Sequence, residues 1–206
     1  MKNVKSVEDH AAFQFDRVAR FYDSFTFGVD RLSSKHRKDL LRQARSKILE
    51  VGIGTGSSLR DYPPSEQIIA IDISQEMLRR AKKKLKNLNV EVELLHQDVQ
   101  NLSFKDETFD SAFTSWVFCA VTDPIKGLKE VRRVLKRGGA LLMLEHVKSK
   151  NKELGRLMDR LNPLALRITD NINRDTLENL RKAGFVVRQE KDFVYDIAKA
   201  IVAVKQ

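Results

Sequence analysis

The chain of 206 residues is 42% hydrophobic and 32% charged, values of an ordinary globular domain, which excludes a disordered chain. Its length suits one well-cored domain, and no apolar run approaches the roughly 18 residues of a membrane span. The formal charge of +10 predicts attraction to phosphate-bearing surfaces without choosing among RNA, DNA and anionic lipid.

The opening MKNVKSVEDH is polar where a secretory signal carries an apolar core, and the single cysteine, Cys119, has no internal disulfide partner. Both predict a cytoplasmic protein. Residues 7–45 read as helical, with Phe13, Phe15, Val18, Phe21, Tyr22 and Phe25 forming an aromatic face. Residues 1–47 hold 11 Lys or Arg against 6 Asp or Glu, a net of about +5. Residues 1–45 are therefore expected to form an N-terminal helical cap, packed on its own domain or lying on the inner face of a membrane as a peripheral contact.

From Lys47 onward KILEV, QIIAID, VEVELL, FDSAFT and ALLMLEH alternate with longer amphipathic segments. That rhythm predicts a parallel sheet with crossover helices over residues 46–206. Ser74 reads as the N-cap of a helix with Met77, Leu78, Ala81, Leu85 and Leu88 on its apolar stripe. Pro124 suits the first turn of the next helix, which would bury Leu128, Val131 and Leu135 and end at Gly138 and Gly139. DTLENLRKAGF reads as a helix stopped at Gly184, and FVVRQEKDFV and DIAKAIVAVK as strands paired antiparallel at the sheet edge. The expected fold is α/β, a Rossmann-like, doubly wound, seven-stranded and mostly parallel sheet with the helical cap.

The functional signal begins at ILEVGIGTGSSLRDYPP, residues 48–64, where Gly52, Gly54 and Gly56 follow a hydrophobic run. A dinucleotide fingerprint needs G-x-G-x-x-G, and Ser57 stands at its third glycine. Glu50 before the glycines would repel a pyrophosphate and suits a ligand bearing an ammonium group. Asp72, 20 residues past Gly52 at the end of the second strand, is placed to take ribose hydroxyls. Asp98, after the third strand, can accept from an exocyclic adenine amine while Val99 presents its backbone amide. All three sites fall at carboxyl ends of successive strands, where open α/β sheets bind ligands.

Taken together, EVGIGTG, IAIDIS, HQDVQNLSF, FDSAFTSWVF and LKRGGALLMLEHV resemble the class I S-adenosylmethionine-dependent methyltransferases over residues 12–147. The resemblance implies S-adenosyl-L-methionine as cofactor and S-adenosyl-L-homocysteine as product. It implies that Glu50, Gly52, Gly54 and Gly56 hold the methionine end, Asp72 the ribose, and Asp98 and Val99 the adenine, with Ile73 and Met77 among the cofactor-binding residues. Ser115 and Trp116, after the fourth strand, would add further cofactor contacts.

FDRVARFYD, residues 15–23, looks like the opening of ubiquinone and menaquinone C-methyltransferases, although the chain lacks the aromatic, serine-bearing ending of that group. GTGSSLRDYP, IDISQEML, VTDP and LEHV look more like bacterial phosphatidylethanolamine N-methyltransferases and related thiol methyltransferases. There Tyr22 and His146 are the implied catalytic positions, with Glu145 a further titratable candidate. His146 suits proton acceptance from an amine or phenol near neutral pH. The expected partner is a lipid or small-molecule methyl acceptor, with an anionic membrane held by basic residues of the N-terminal helices and of KSKNKELGRLMDR, and with Phe13, Phe21, Leu157 and Leu161 entering the interface. Nucleic acid is disfavoured, because TSWVF replaces the N/D-P-P-Y/F motif of amino-methylating enzymes. No metal is expected, since no His/Cys cluster has ligand spacing.

Overall fold

Strands β1 (Lys47–Val51), β2 (Gln67–Asp72), β3 (Val92–His96), β4 (Phe109–Ser115), β5 (Leu135–His146), β6 (Phe185–Val194) and β7 (Ala198–Lys205) form one sheet in the order β3-β2-β1-β4-β5-β7-β6. β1 to β5 are mutually parallel, and β7 runs antiparallel to both β5 and β6. The computed structural model describes residues 5–63, 67–168 and 171–206, and the side chains of residues 5–14, 17, 18, 21, 25 and 164–168 lie outside that description. The helices are α1 (Lys5–Leu41), α2 (Gln75–Leu85), α3 (Pro124–Val134), α4 (Lys152–Ile168) and α5 (Thr176–Lys182).

Successive side chains of a strand point to opposite faces, and here both faces are covered. On one face Leu49, Ile69, Leu141, Met143, Ile201 and Ala203 join Leu128 and Val131 of α3 and Leu180 of α5. On the other, Ile48, Ile68, Leu142, Leu144, Ala200 and Val202 pack with Leu40 and Leu41 at the end of α1. This explains why the central strands read as continuous apolar runs.

The chain leaves β1 toward β2 and β3, then crosses back to place β4 on the other side of β1. That reversal of strand order opens a crevice at the carboxyl ends of β1 and β4, the place where such sheets bind ligands.

Five details differ from the sequence reading. β7 is inserted between β5 and β6, so only β6 of that pair is an edge strand. The third helix stops at Val134, and Leu135 is extended and paired with Phe109. Gly138 and Gly139 serve a bulge inside β5 rather than a helix end: Gly138 has φ +73°, and a Cβ on Gly139 would lie 2.8 Å from the Lys136 carbonyl oxygen. Leu88 lies beyond the end of α2. KELGRLMDRLNPLALRI forms α4, a 17-residue helix that strand periodicity elsewhere had left unassigned.

α1 is one continuous helix of 37 residues, about 55 Å long at 1.5 Å per residue. Its side chains fasten it to the loops at the crevice. Asp16 accepts from Ser74 Oγ at 2.5 Å and from the Glu76 amide at 3.1 Å, at the start of α2. Asp23 accepts from Thr55 Oγ1 at 2.5 Å and pairs with Lys84 at 2.8 Å. Ser74 is the N-cap of α2 as its sequence position predicts, accepting from the Met77 amide at 3.1 Å. Because Ser74 is fully buried and bonds both α1 and α2, Ser74→Ala should destabilise the protein by about 1–2 kcal/mol. Urea unfolding should show a lower midpoint at unchanged slope; an unchanged midpoint refutes the role of this cap.

Candidate active site

Two adjoining cavities occupy the crevice. The first, about 790 Å³ of empty space, is lined by Val51, Gly52 and Gly54 after β1, Ile71, Asp72, Ile73 and Met77 around the end of β2, and Gln97 to Gln100 after β3. Ser115, Trp116 and Val117 close it from β4, and Phe15 and Tyr22 cover it from α1. The second, about 1000 Å³, lies beyond Tyr22, Gly52, Gly54, Ser115 and Trp116, which border both. Thr26, Val29, Asp30 and Arg37 of α1 line it, together with Glu50, Ser57, Ser58, Cys119 and His146.

The glycine loop is held open from two sides. Gly52 and Ile53 donate their amides to the Ile71 carbonyl at 2.8 and 3.0 Å, and Gly54 donates its amide to Asp72 Oδ2 at 2.8 Å. Gly52, Gly54 and Gly56 all have positive φ, +70°, +54° and +84°, which side-chain-bearing residues rarely adopt. Their uses differ. A Cβ on Gly52 would lie 2.4 Å from Val117 Cγ2, whereas one on Gly54 would project into open space. Gly56 lines neither cavity; a Cβ there would lie 2.6 Å from Leu59 and 3.3 Å from the Ala81 backbone, so its role is close packing of the loop on α2.

Asp72 uses both carboxylate oxygens, accepting from the Gly54 amide and, at 2.8 Å, from the Ser74 amide. Burial pushes its carboxyl above the usual aspartate range, while those amides pull it down. Asp98 is arranged alike, accepting from the Gln100 amide at 2.8 Å and from Gln100 Nε2 at 3.0 Å. Val99 is buried behind it.

Glu50 lies in the second cavity, buried, accepting from Ser58 Oγ at 2.6 Å and Tyr62 Oη at 2.7 Å. Burial pushes its carboxyl up to about 7 against these two donors. A cationic ligand group in the same cavity would favour the charged form.

Trp116 holds φ +58°, a strained value for an indole-bearing residue. Three hydrogen bonds fix it: its amide donates to Leu144 O at 2.8 Å, and the amides of Val117 and Phe118 donate to Glu145 Oε1 at 3.0 and 2.9 Å. Glu145 is fully buried and lines neither cavity, so its position is that of a backbone clamp rather than a titratable group facing an acceptor. The Trp116 ring meets His146 edge to face at 4.6 Å between centroids and Phe193 at 6.0 Å; Phe193 in turn stacks on His36 of α1 at 4.5 Å. Burial lowers the His146 imidazole below its ordinary 6.5, so it is neutral at pH 7 and free to accept a proton.

The sequence reading missed Phe15, Gln97, Gln100 and Val117 in the first cavity, and Asp30 and Arg37 in the second. The signal for the helical ones was present: positions 15, 22, 26, 30 and 37 are spaced by 7, 4, 4 and 7, which puts them on one face of α1.

With this geometry in hand, a family profile described as a methyltransferase domain matches residues 49–143, from the first strand through the glycine loop to the fifth strand. The chain is 35% identical over 141 residues to a phosphatidylethanolamine N-methyltransferase of Cereibacter sphaeroides, spanning 65% of this chain and 70% of that one. The chain belongs to the class I S-adenosylmethionine-dependent methyltransferases. It is also 35% identical over 154 residues to the ubiquinone/menaquinone biosynthesis C-methyltransferase UbiE of Pasteurella multocida, covering 71% of this chain and 56% of that enzyme. The fold matches an S-adenosylmethionine-dependent methyltransferase of Thermotoga maritima with a TM-score of 0.70 at 24% identity, over 94% of this chain and 99% of that one.

The methyltransferase takes S-adenosylmethionine as its methyl donor. The residues present fit it: Gly54 leaves space that any side chain would fill, Asp72 and Asp98 border the first cavity with carboxylates, which can accept from hydroxyl and amine groups, and among the described residues no Lys or Arg lines the first cavity.

The raised Glu50 carboxyl has a measurable sign. Its unfolded value is near 4.5, so between pH 4.5 and about 7 the native state binds the extra proton and stability falls as pH rises through that window. Glu50→Gln should remove this slope and raise stability at pH 8 by roughly 3 kcal/mol relative to wild type, with little difference at pH 4.5. Urea midpoints at the two pH values check it; parallel pH profiles for the two proteins refute the buried titration.

Proposed function

We propose that this methyltransferase methylates the amine nitrogen of a lipid-like acceptor at a membrane surface. The observation that carries the proposal is the lining of the second cavity: the rings of Tyr22, Trp116 and His146 stand with the carboxylates of Asp30 and Glu50. Aromatic faces and carboxylates attract an amine nitrogen, which is cationic when protonated and permanently so once quaternary. The relative from Cereibacter sphaeroides, named for phosphatidylethanolamine N-methylation, supports the same class of acceptor.

Bound in the crevice, S-adenosylmethionine supplies an electrophilic methyl carbon on a cationic sulfur, and S-adenosylhomocysteine leaves as product. In this reading Glu50, Gly52 and Gly54 hold the methionine end; Asp72, Ile73 and Met77 hold the ribose side; and Asp98 and Val99 hold the adenine. Ser115 and Trp116 border both cavities, where the donor's methionine end would pass toward Glu50 and the acceptor nitrogen would meet the methyl carbon in line. The nitrogen must be unprotonated to attack, and His146, kept neutral by burial, accepts its proton as the new carbon–nitrogen bond forms. Tyr22 closes over both cavities from α1.

The surface supports a membrane contact. Phe27 and Leu32 of α1 are each 66% exposed, beside the exposed Arg31, Lys35 and Lys38. Leu157 and Leu161 of α4 are exposed among Arg156 and Arg160. Exposed apolar side chains flanked by cations suit an anionic lipid interface. The side chains of Phe13 and Phe21, expected at that interface, lie outside the described residues. Among the described residues no helix is long and apolar enough to cross a membrane.

The similarity to UbiE favours one second reading, a quinone precursor or another small phenol or thiol as acceptor. Tritium transfer from labelled cofactor to lipid extract, quinone precursors, thiols and total RNA separates the readings. Label should enter the aminophospholipid, and anionic liposomes should float the protein at low salt and release it at high salt. Label confined to another fraction refutes the lipid amine. His146→Ala should lower kcat by at least about a hundredfold, the lower end expected for loss of a general base, while cofactor affinity by calorimetry stays near wild type. An undiminished kcat across the pH range refutes the base.

A further inference from the structure

Arg37 is a buried cation on α1, where the other Lys and Arg side chains among the described residues, Arg20, Arg31, Lys35 and Lys38, are exposed. It is 5% exposed, yet it borders the second cavity beside Glu50 and the glycine-loop residues Gly52 to Thr55. Among the described residues it is the single Lys or Arg in the lining of either cavity. Its guanidinium is fixed from behind: Nε donates to Asp61 Oδ2 at 2.6 Å, and Nη1 donates to Asp30 Oδ1 at 2.5 Å. Asp61, with a side chain 5% exposed, also lies 3.8 Å from Lys38.

A guanidinium has five N–H donors in a rigid fork. The two bonds to Asp61 and Asp30 leave three for another acceptor. S-adenosylmethionine carries one anionic group, the carboxylate of its methionine end, beside an ammonium and a sulfonium. The other charged groups bordering the two cavities are the carboxylates of Asp30, Glu50, Asp72 and Asp98, which suit the cationic and hydroxyl groups of that ligand and repel its carboxylate.

We propose that Arg37, anchored by Asp61 and Asp30, is the counter-charge that receives the methionine carboxylate of S-adenosylmethionine. Arg37 thereby sets which end of the donor enters the second cavity, and with it the side from which the methyl carbon is presented. The proposal rests on the glycine loop holding the methionine end of the donor. The same helix that lines the acceptor chamber would then also read the cofactor.

The test compares S-adenosylmethionine with its decarboxylated analogue, which keeps the sulfonium and the ammonium and lacks the carboxylate, by calorimetric titration of the full chain. Wild type should bind the carboxylated ligand at least about tenfold more tightly, as one charged hydrogen-bonded contact gives. Arg37→Gln should lose most of that preference through weaker binding of S-adenosylmethionine, with the analogue's affinity little changed. A wild type that binds both ligands equally overturns the proposal, and so does an Arg37→Gln protein that keeps the full preference. If circular dichroism shows Arg37→Gln unfolded, the double variant Arg37→Gln with Asp61→Asn removes the opposing buried charge in step and is read in the same way. Gly54→Ala, whose methyl projects into the cavity, tests the underlying reading separately. Weakened binding of both ligands with the preference kept in Arg37→Gln overturns the role of Arg37 alone. Unchanged binding to Gly54→Ala overturns the glycine-loop reading, and the proposal with it.

Discussion

The crevice depends on one carboxylate. Asp72 ends the second strand and holds the Gly54 amide with one oxygen and the Ser74 amide with the other, each at 2.8 Å. It thus ties the loop after β1 to the turn that starts α2. Lacking a Cβ, the glycines are free to take positive φ, and these bonds select the one conformation the crevice needs; an amide–carboxylate bond inside a buried site is stronger than its counterpart in water. α1 then fastens onto the same two points, through Asp23 to Thr55 on the loop and through Asp16 to Ser74 on the turn. Sheet, loop, second helix and covering helix therefore meet within a few residues of Asp72, and a shift at that carboxylate would be felt in all four.

Charge is distributed across the crevice with a consistent sense. Carboxylates line both cavities, and their burial raises the cost of leaving them charged and unpaired. Glu50, held by Ser58 and Tyr62 and pushed up to about 7, is poised near the point where a neighbouring cation decides its ionisation. A sulfonium ligand with an ammonium group is the kind of molecule that would stabilise such a set. The strongly basic exterior is a separate feature: Arg31, Lys35, Lys38, Arg156 and Arg160 are exposed and do not enter the lining of the two cavities, Arg37 being the exception. The overall charge of +10 therefore describes the surface and misdescribes the site.

The sheet was legible from sequence because its strands are buried on both faces, which writes itself as apolar runs such as ILEV and IIAI, and because Ser74, Asp123 and Asp175 cap their helices by local chemistry. The lining of the first cavity was legible for a related reason, since Gly52, Gly54, Asp72, Asp98 and Ser115 sit at or just past strand ends. What was not legible depends on distant packing. Gly56 follows the same spacing as Gly52 and Gly54, yet its reason is the approach of Ala81 from another element. Gly138 and Gly139 resemble a helix stop until β4 is placed beside them and the register shift between Phe109 and Ser111 becomes visible. Glu145 looks like an acid beside the catalytic candidate, and turns inward only because the amides of Val117 and Phe118 need an acceptor under the strained Trp116. Arg37 reads as one more surface cation until Asp61 folds over it.

The division of labour between the sheet and α1 bears on how such an enzyme selects its acceptor. The glycine loop, Asp72, Asp98 and the β4 end come from the region matched by the methyltransferase-domain profile, residues 49–143, which begins after α1. The second cavity draws Tyr22, Thr26, Val29, Asp30 and Arg37 from α1 and His146 from just past the matched region. A helix face can exchange side chains at positions 22, 26 and 29 without disturbing a strand register, whereas a change at a strand end disturbs the sheet and the loops that shape the first cavity. Relatives named for different acceptors can therefore share the sheet and its cofactor crevice while differing in the helix laid across it. On the reading proposed above, acceptor selectivity in this chain would be set on α1, along the face that runs from Tyr22 to Val29, before it is set in the sheet.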